Sequence, residues 1–246
     1  MAHQAGPLRF KGKLGGLSFY HNRQYGYLVR QKGGPNREEI ARSPRFVRTR
    51  ENAAEFALAA VTGKLIRQAV WSSTGLKGDS NVTQRLTGLL VRMGKTDQLS
   101  IRGERSPLVI FDEASSRALL HSFSFYTGRP LTTVYSGDIN YDAGTDSIVF
   151  SGPVLSESFD APKGATHVQI KAAILILDFD NKSYTAFKAP IYTAKLESPM
   201  PQATFMCDLQ TAGSGSRIGV VAIEFLQEKN GELYLLTEGV SLGIVW

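Results

Sequence analysis

The sequence predicts an α+β protein: an N-terminal β-ribbon and helical hairpin, followed by an antiparallel β-sandwich, Ig-like in architecture. Three observations carry this expectation. Between Ser43 and Met93 the apolar residues recur at helical spacing. Before that stretch, and again after Leu108, short apolar runs alternate with polar residues and are divided by clusters of Gly, Asn and Asp. Charge also changes sign along the chain: residues 1–105 hold 19 Lys and Arg against 7 Asp and Glu, and residues 106–246 hold 9 against 15. The expected organisation is therefore a basic ribbon-and-helix portion, 1–105, and an acidic sandwich, 106–246.

The first element lies in residues 8–32, where Leu17 and Phe19, then Tyr25, Tyr27 and Val29, alternate with small or polar residues. Two strands joined near His21–Gln24 satisfy that pattern. An isolated two-stranded ribbon is marginal in water, so this one needs a surface to lean on. Lys32–Asn36 is turn chemistry, and Arg37–Arg42 suits one helical turn. Ser43 caps the main helix, Pro44 suits its first turn, and the helix is predicted to run to Trp71. Its expected apolar stripe is Phe46, Ala53, Phe56, Ala60, Gly63 and Val70. A second helix is predicted from about Asp79, with Val82, Leu86, Leu89, Leu90 and Met93 on one face.

Strands are predicted near 120–126, 131–141, 147–151, 166–179, 183–190, 203–210, 217–227, 232–237 and 240–245. Asp180-Asn181 and Asn230-Gly231 are hairpin turns, because Asn and Gly tolerate the positive φ that a two-residue turn demands. Along Val168–Leu177 one face is apolar throughout and the other becomes apolar at Ala173. That strand is expected to be half exposed at its start and buried on both sides later.

Chemistry is harder to find. The single cysteine, Cys207, excludes an internal disulfide framework. Histidines 3, 21, 121 and 167 lie at no metal-ligand spacing. Asp138, Asp142 and Asp146 lack the alternating oxygens and terminal glutamate of a calcium loop and read as a solvated hairpin turn. Gly213–Arg217 leads into a strand rather than a helix, so it reads as a turn and not a phosphate cradle. Asp178 and Asp180 flank a hairpin. The expectation is a protein that is not an enzyme, with no catalytic, cofactor or metal site. Without a secretory leader or an apolar run long enough for a bilayer, a cytoplasmic protein with no membrane span is expected, export by a non-classical route apart.

The residues Lys11-Gly12, Gly15-Gly16 and Ser18-Phe19-Tyr20, with Arg48–Asn52, Glu55-Phe56 and Gly63–Arg67, resemble the opening of an uncharacterised protein family common in Bacteroidetes. Ile223–Glu228, Asn230-Gly231 and Tyr234 are similar to the end of the same family. The resemblance covers both ends of the chain and its middle only loosely. It implies a shared fold and no activity.

Charge asymmetry and an unsupported ribbon together point to self-association. The expected partner is another copy of this chain, with the basic portion of one molecule meeting the acidic portion of the next in a filament, tube or ring. The expected interface comprises Phe19, Tyr20, Tyr25, Tyr27 and Val29 as apolar anchors and Arg45, Arg48 and Arg50 as a charged rim. A second reading is nucleic-acid binding by the same basic portion, with the ribbon aromatics stacking on bases. Against it, Glu38, Glu39, Glu51 and Glu55 interrupt the basic run.

Overall fold

The computed structural model describes residues 2–31, 33–151, 158–197, 204–209 and 214–246. Its contacts divide the chain into two units, Met1–Arg50 and Glu51–Trp246. The boundary expected near 105/106 falls inside the second unit, because the two main helices share a core with the strands that follow them.

The first unit is a four-stranded antiparallel sheet, β1 (Ala2–His3), β2 (Gly12–Leu14), β3 (Leu17–Asn22) and β4 (Gly26–Gln31), ordered β1-β4-β3-β2. Asn22 makes the β3–β4 turn: its Oδ1 accepts from the N–H groups of Gln24 and Tyr25 at 2.8 and 3.0 Å. The short helix α1 (Arg37–Arg42) follows, capped where Asn36 Oδ1 accepts from Glu39 N–H at 2.7 Å. A 3-10 turn at Pro44–Phe46 leads into α2 (Val47–Thr74). Leu28 is the one buried residue among those described in this unit.

The second unit is built on two long strands, β7 (His167–Asp178) and β11 (Ser216–Lys229), paired antiparallel from Ser216–Leu177 to Leu226–His167. The outer side of β7 carries β8 (Ser183–Lys188) and β9 (Tyr192–Lys195) end to end, and that of β11 carries β13 (Ser241–Val245) and β12 (Glu232–Leu235). Side chains alternate between faces. Val168, Ile170, Ala172, Ile174, Val221, Ile223 and Phe225 meet Ile139, Ile148, Phe150 and Phe205 of a three-stranded sheet. That sheet is β5 (Asp138–Asp142), β6 (Ser147–Ser151) and β10 (Thr204–Met206), ordered β10-β6-β5. Leu175, Leu177, Ile218, Val220 and Ala222 point the other way, onto Ile66, Leu86, Leu90, Met93 and Leu120. These come from α2, α3 (Val82–Lys95) and α4 (Ala114–His121). Burial on both faces is why β7 and β11 read as nearly continuous apolar runs.

The architecture is therefore mixed α+β with antiparallel sheets. One face of the larger sheet shares a core with the three-stranded sheet and the other is covered by helices. Segment 120–126 is not a strand. It is the end of α4 followed by one bridge, Ser124–Gly243, because the Arg85 guanidinium takes the carbonyls of Ser124 and Phe125 that a ladder would use. Segment 131–141 splits into the single turn α5 (Leu131–Val134) and β5, and β9 was not anticipated. The front of the α2 stripe is also corrected: Ala53 and Phe56 are exposed, and the buried face begins at Ala59 and continues through Gly63, Ile66 and Val70. No helix among the described residues is long and apolar enough to cross a membrane.

Candidate interaction surface

Strand register sorts the ribbon residues by face. Leu14 pairs with Leu17, Gly12 with Phe19, Phe19 with Val29, and His21 with Tyr27, so Leu14, Leu17, Phe19, His21, Tyr27 and Val29 share one face. Phe10 joins it edge-on to Phe19 at 6.1 Å, and His21 lies edge-on to Tyr27 at 4.8 Å. Arg9 and Lys11 stand over the Tyr27 ring at 5.1 and 5.6 Å. This face is an aromatic strip with cations laid across it. Leu8 (72% exposed), Phe10 (59%), Leu14 (74%), Leu17 (43%) and Tyr25 (57%) present their apolar atoms to solvent.

The residues expected to act together are thus only partly together. Phe19, Tyr27 and Val29 lie on the strip. Tyr20 points to the opposite face, paired with Leu28 and covered by Arg30 at 5.3 Å. Tyr25 sits in the β3–β4 turn. Arg45 is exposed and lies over Phe46 at 5.8 Å, and Arg48 is exposed on the first turn of α2. Arg50 is half-buried, and its Nη1 donates to the carbonyls of Ile40 and Ser43 at 2.7 and 3.0 Å. It closes the C-terminal end of α1.

Sequence reasoning missed Gln4. Its amide Nε2 donates to the carbonyls of Phe10 and Leu28, and its Oε1 accepts from Phe10 N–H at 2.8 Å. This clamp holds Phe10 beside β4. The signal is invisible in the sequence because Gln4 acts across the sheet, with no periodic pattern.

In the second unit the β12 edge is also exposed. Among the described residues β12 pairs on one side only, with β11, and every residue of it is exposed. Leu233, Tyr234 and Leu235 are 44, 52 and 50% exposed. Glu228 on β11 and Glu232 flank them, and the Tyr234 hydroxyl donates to Glu232 Oε2 at 2.6 Å. A sheet edge with unpaired backbone groups and exposed apolar side chains is open to strand addition.

Four of the carboxylates and histidines considered in the sequence, Asp142, Asp146, Asp178 and His167, have partners nearby. Asp142 accepts from Gly144 N–H and Thr145 Oγ1–H, and Asp178 from Asn181 N–H and Nδ2–H, so both are turn-formers. These bonds hold both carboxyls below the usual aspartate range. Asp146 accepts from Tyr141 and Arg217. His167 is buried with Nδ1 2.9 Å from Thr166 Oγ1. Cys207 is buried, and burial pushes its thiol pKa up. Among the described residues no three His, Cys, Asp or Glu side chains converge as a metal site. Of the Gly213–Arg217 turn, Gly213 lies outside the described residues, and β11 starts at Ser216. Comparison with protein-family models, curated proteins and solved structures gave no match.

Proposed function

We propose that this chain is a non-enzymatic structural protein that self-associates head-to-tail, the ribbon of one copy docking on the β12 edge of the next. One observation carries the reading: Met1–Arg50 buries a single described residue, Leu28, while Leu8, Phe10, Leu14, Leu17 and Tyr25 stay exposed. A sheet with so little core gains stability by covering its apolar strip. Charge supports a second copy as the occupant. Residues 1–50 hold 11 Lys and Arg against 2 Asp and Glu, a net of +9, whereas 106–246 are net −6. The two-layer packing of sheets in the acidic portion is read as Ig-like only in the broad sense of a sandwich. The interface is heterologous, so repetition closes into a ring or extends as a filament or tube. The likeness to an uncharacterised Bacteroidetes family fits this reading and adds no activity to it.

Mixing tests the heterologous geometry. A ribbon variant, Leu14→Lys/Leu17→Lys, and an edge variant, Leu233→Lys/Tyr234→Lys, are each expected to be monomeric. Together they are expected to form a discrete heterodimer, because each keeps the half that the other lacks. If the mixture stays monomeric while the unmodified protein associates, the two surfaces are not partners.

A second reading, nucleic-acid binding by the basic first unit, is favoured by Arg9 and Lys11 over Tyr27. It predicts binding of a labelled oligonucleotide that weakens steeply as salt is raised.

A further inference from the structure

The second unit holds a groove of about 470 Å³ between one face of α2 and the loop that enters α3. From α2 it is lined by Lys64, Arg67, Gln68 and Trp71, which fall at successive helical spacings and so share a face. From the loop come Lys77 and Ser80, and from α3 Thr83. We propose that this groove binds a phosphorylated nucleoside, its phosphate held by Lys64, Arg67 and Lys77 and its base stacked on Trp71. The inference is independent of the self-association reading, since none of these residues lies on the ribbon or on β12.

Three features carry it. The first is an unmet charge. Arg67 Nη1 is buried and has no hydrogen-bond partner among the described residues. It lies where Gly63 leaves room, since a Cβ at Gly63 would stand 3.4 Å from it. Burial lowers the Arg67 pKa. A half-buried guanidinium whose Nη1 is closed to solvent gains from a negative charge nearby, and an anion in the groove beside Arg67 supplies it.

The second feature is the state of the one acid in the lining. Asp79 is already satisfied: Oδ2 accepts from Arg85 Nη2 at 2.8 Å and from Thr127 N–H and Oγ1–H at 2.8 and 2.7 Å. Its Oδ1 accepts from Asn81 N–H at 2.9 Å. Asp79 is therefore spent on fixing the loop and on Arg85, and it does not neutralise Lys64, Arg67 and Lys77. The same residue serves the start of α3, where Asn81 makes no side-chain cap and the Asp79 carbonyl accepts from Val82 N–H at 3.2 Å.

The third feature is an open aromatic face. Trp71 is 49% exposed, and Lys77 Nζ lies 4.3 Å from its ring centroid. A flexible lysine over an exposed indole can swing onto a phosphate and yield the ring to a base. The groove volume lies within the roughly 300–1,000 Å³ of small-molecule sites.

Intrinsic fluorescence tests this in the full chain. The chain holds 2 tryptophans, so Trp246→Phe leaves Trp71 as sole reporter. Adenosine 5′-monophosphate is expected to quench it saturably, with inorganic phosphate competing at weaker affinity. Lys64→Gln/Lys77→Gln, both exposed positions, is expected to weaken binding roughly tenfold or more. An oligothymidylate arm separates the sources. Tighter binding than the mononucleotide assigns a single strand, and equal binding assigns a free nucleotide. Absence of quenching by either probe at millimolar concentration and low salt overturns the proposal. So does affinity unchanged in the double lysine variant, or inorganic phosphate binding as tightly as the mononucleotide.

Discussion

Asp79 and the Lys171–Glu224 pair show how single side chains hold the second unit together. Burial by itself would push the Asp79 carboxyl up. The Thr127 bonds, the Asn81 N–H and the Arg85 charge outweigh it and hold the pKa down to about 2. An unfolded aspartate titrates near ~3.9. The carboxylate therefore contributes fully above about pH 4, and its contribution is lost as the pH falls toward about 2. Asp79→Asn is expected to lower stability by about 2 kcal/mol at neutral pH. Urea unfolding at a series of pH values should show the variant and the parent converging between about pH 4 and pH 2; a gap independent of pH would contradict this assignment. Glu224 is buried on the helix-covered face of β11 and its Oε2 lies 2.5 Å from Lys171 Nζ, with side chains 2 and 22% exposed. Lys171→Met strands that carboxylate and is expected to destabilise by about 3–5 kcal/mol. Adding Glu224→Leu should recover most of the loss, because an apolar pair of similar volume needs no compensation. Chemical denaturation of the single and double variants reads both effects. Neither role was legible in the sequence: Glu224 and Lys171 look like the polar positions of an alternating strand until the helices are placed over that face.

At the scale of elements, the Asn230-Gly231 turn was the most legible, whereas between β7 and β8 the positive φ falls on Lys182 (φ 52) and not on Asp180 or Asn181. Asn230 (φ 55) and Gly231 (φ 82) both adopt positive φ in the β11–β12 hairpin, as the dipeptide requires. Gly75 (φ 78) ends α2 in the left-handed conformation, its N–H donating to the Trp71 carbonyl at 2.8 Å. Helix extent was legible within a few residues for α2 and α3, since both carry caps or apolar spacing that only a helix satisfies. The buried face of α2 was not, because Ala53 and Phe56 continue the helical spacing into turns that nothing in the second unit covers. The 120–126 segment misled for a related reason. LHSFSFY alternates like a strand, but Arg85 from a distant helix claims its carbonyls. Gly78 (φ 79) ties the same two regions, and a Cβ there would sit 2.7 Å from the Phe125 carbonyl oxygen. Gly78→Ala is expected to cost about 1–3 kcal/mol. Gly75→Ala, with similar φ but open space around it, should cost only the left-handed penalty of about 1–2 kcal/mol. Thermal melting of the two variants ranks them, and equal losses would remove the steric part of this argument.

For the whole molecule, the asymmetry of charge was visible in the sequence, but the division of the chain was not. The basic excess concentrates in Met1–Arg50, net +9, and the helices that followed it in sequence belong with the sheets. Of the expected interface residues, Phe19, Tyr27 and Val29 share the strip, whereas Arg50 is consumed by α1 and Tyr20 faces away. Leu14 and Phe10 are exposed, and in the proposed interface they take the place of Arg50 and Tyr20. Buried aromatics would supply most of the affinity and the charges mainly rate and salt sensitivity. The account therefore stands most directly on sedimentation velocity of the unmodified protein over a concentration series at low and at high salt. It predicts species larger than a monomer that grow with concentration and diminish as salt rises, and a single monomer boundary at every concentration and salt would contradict it.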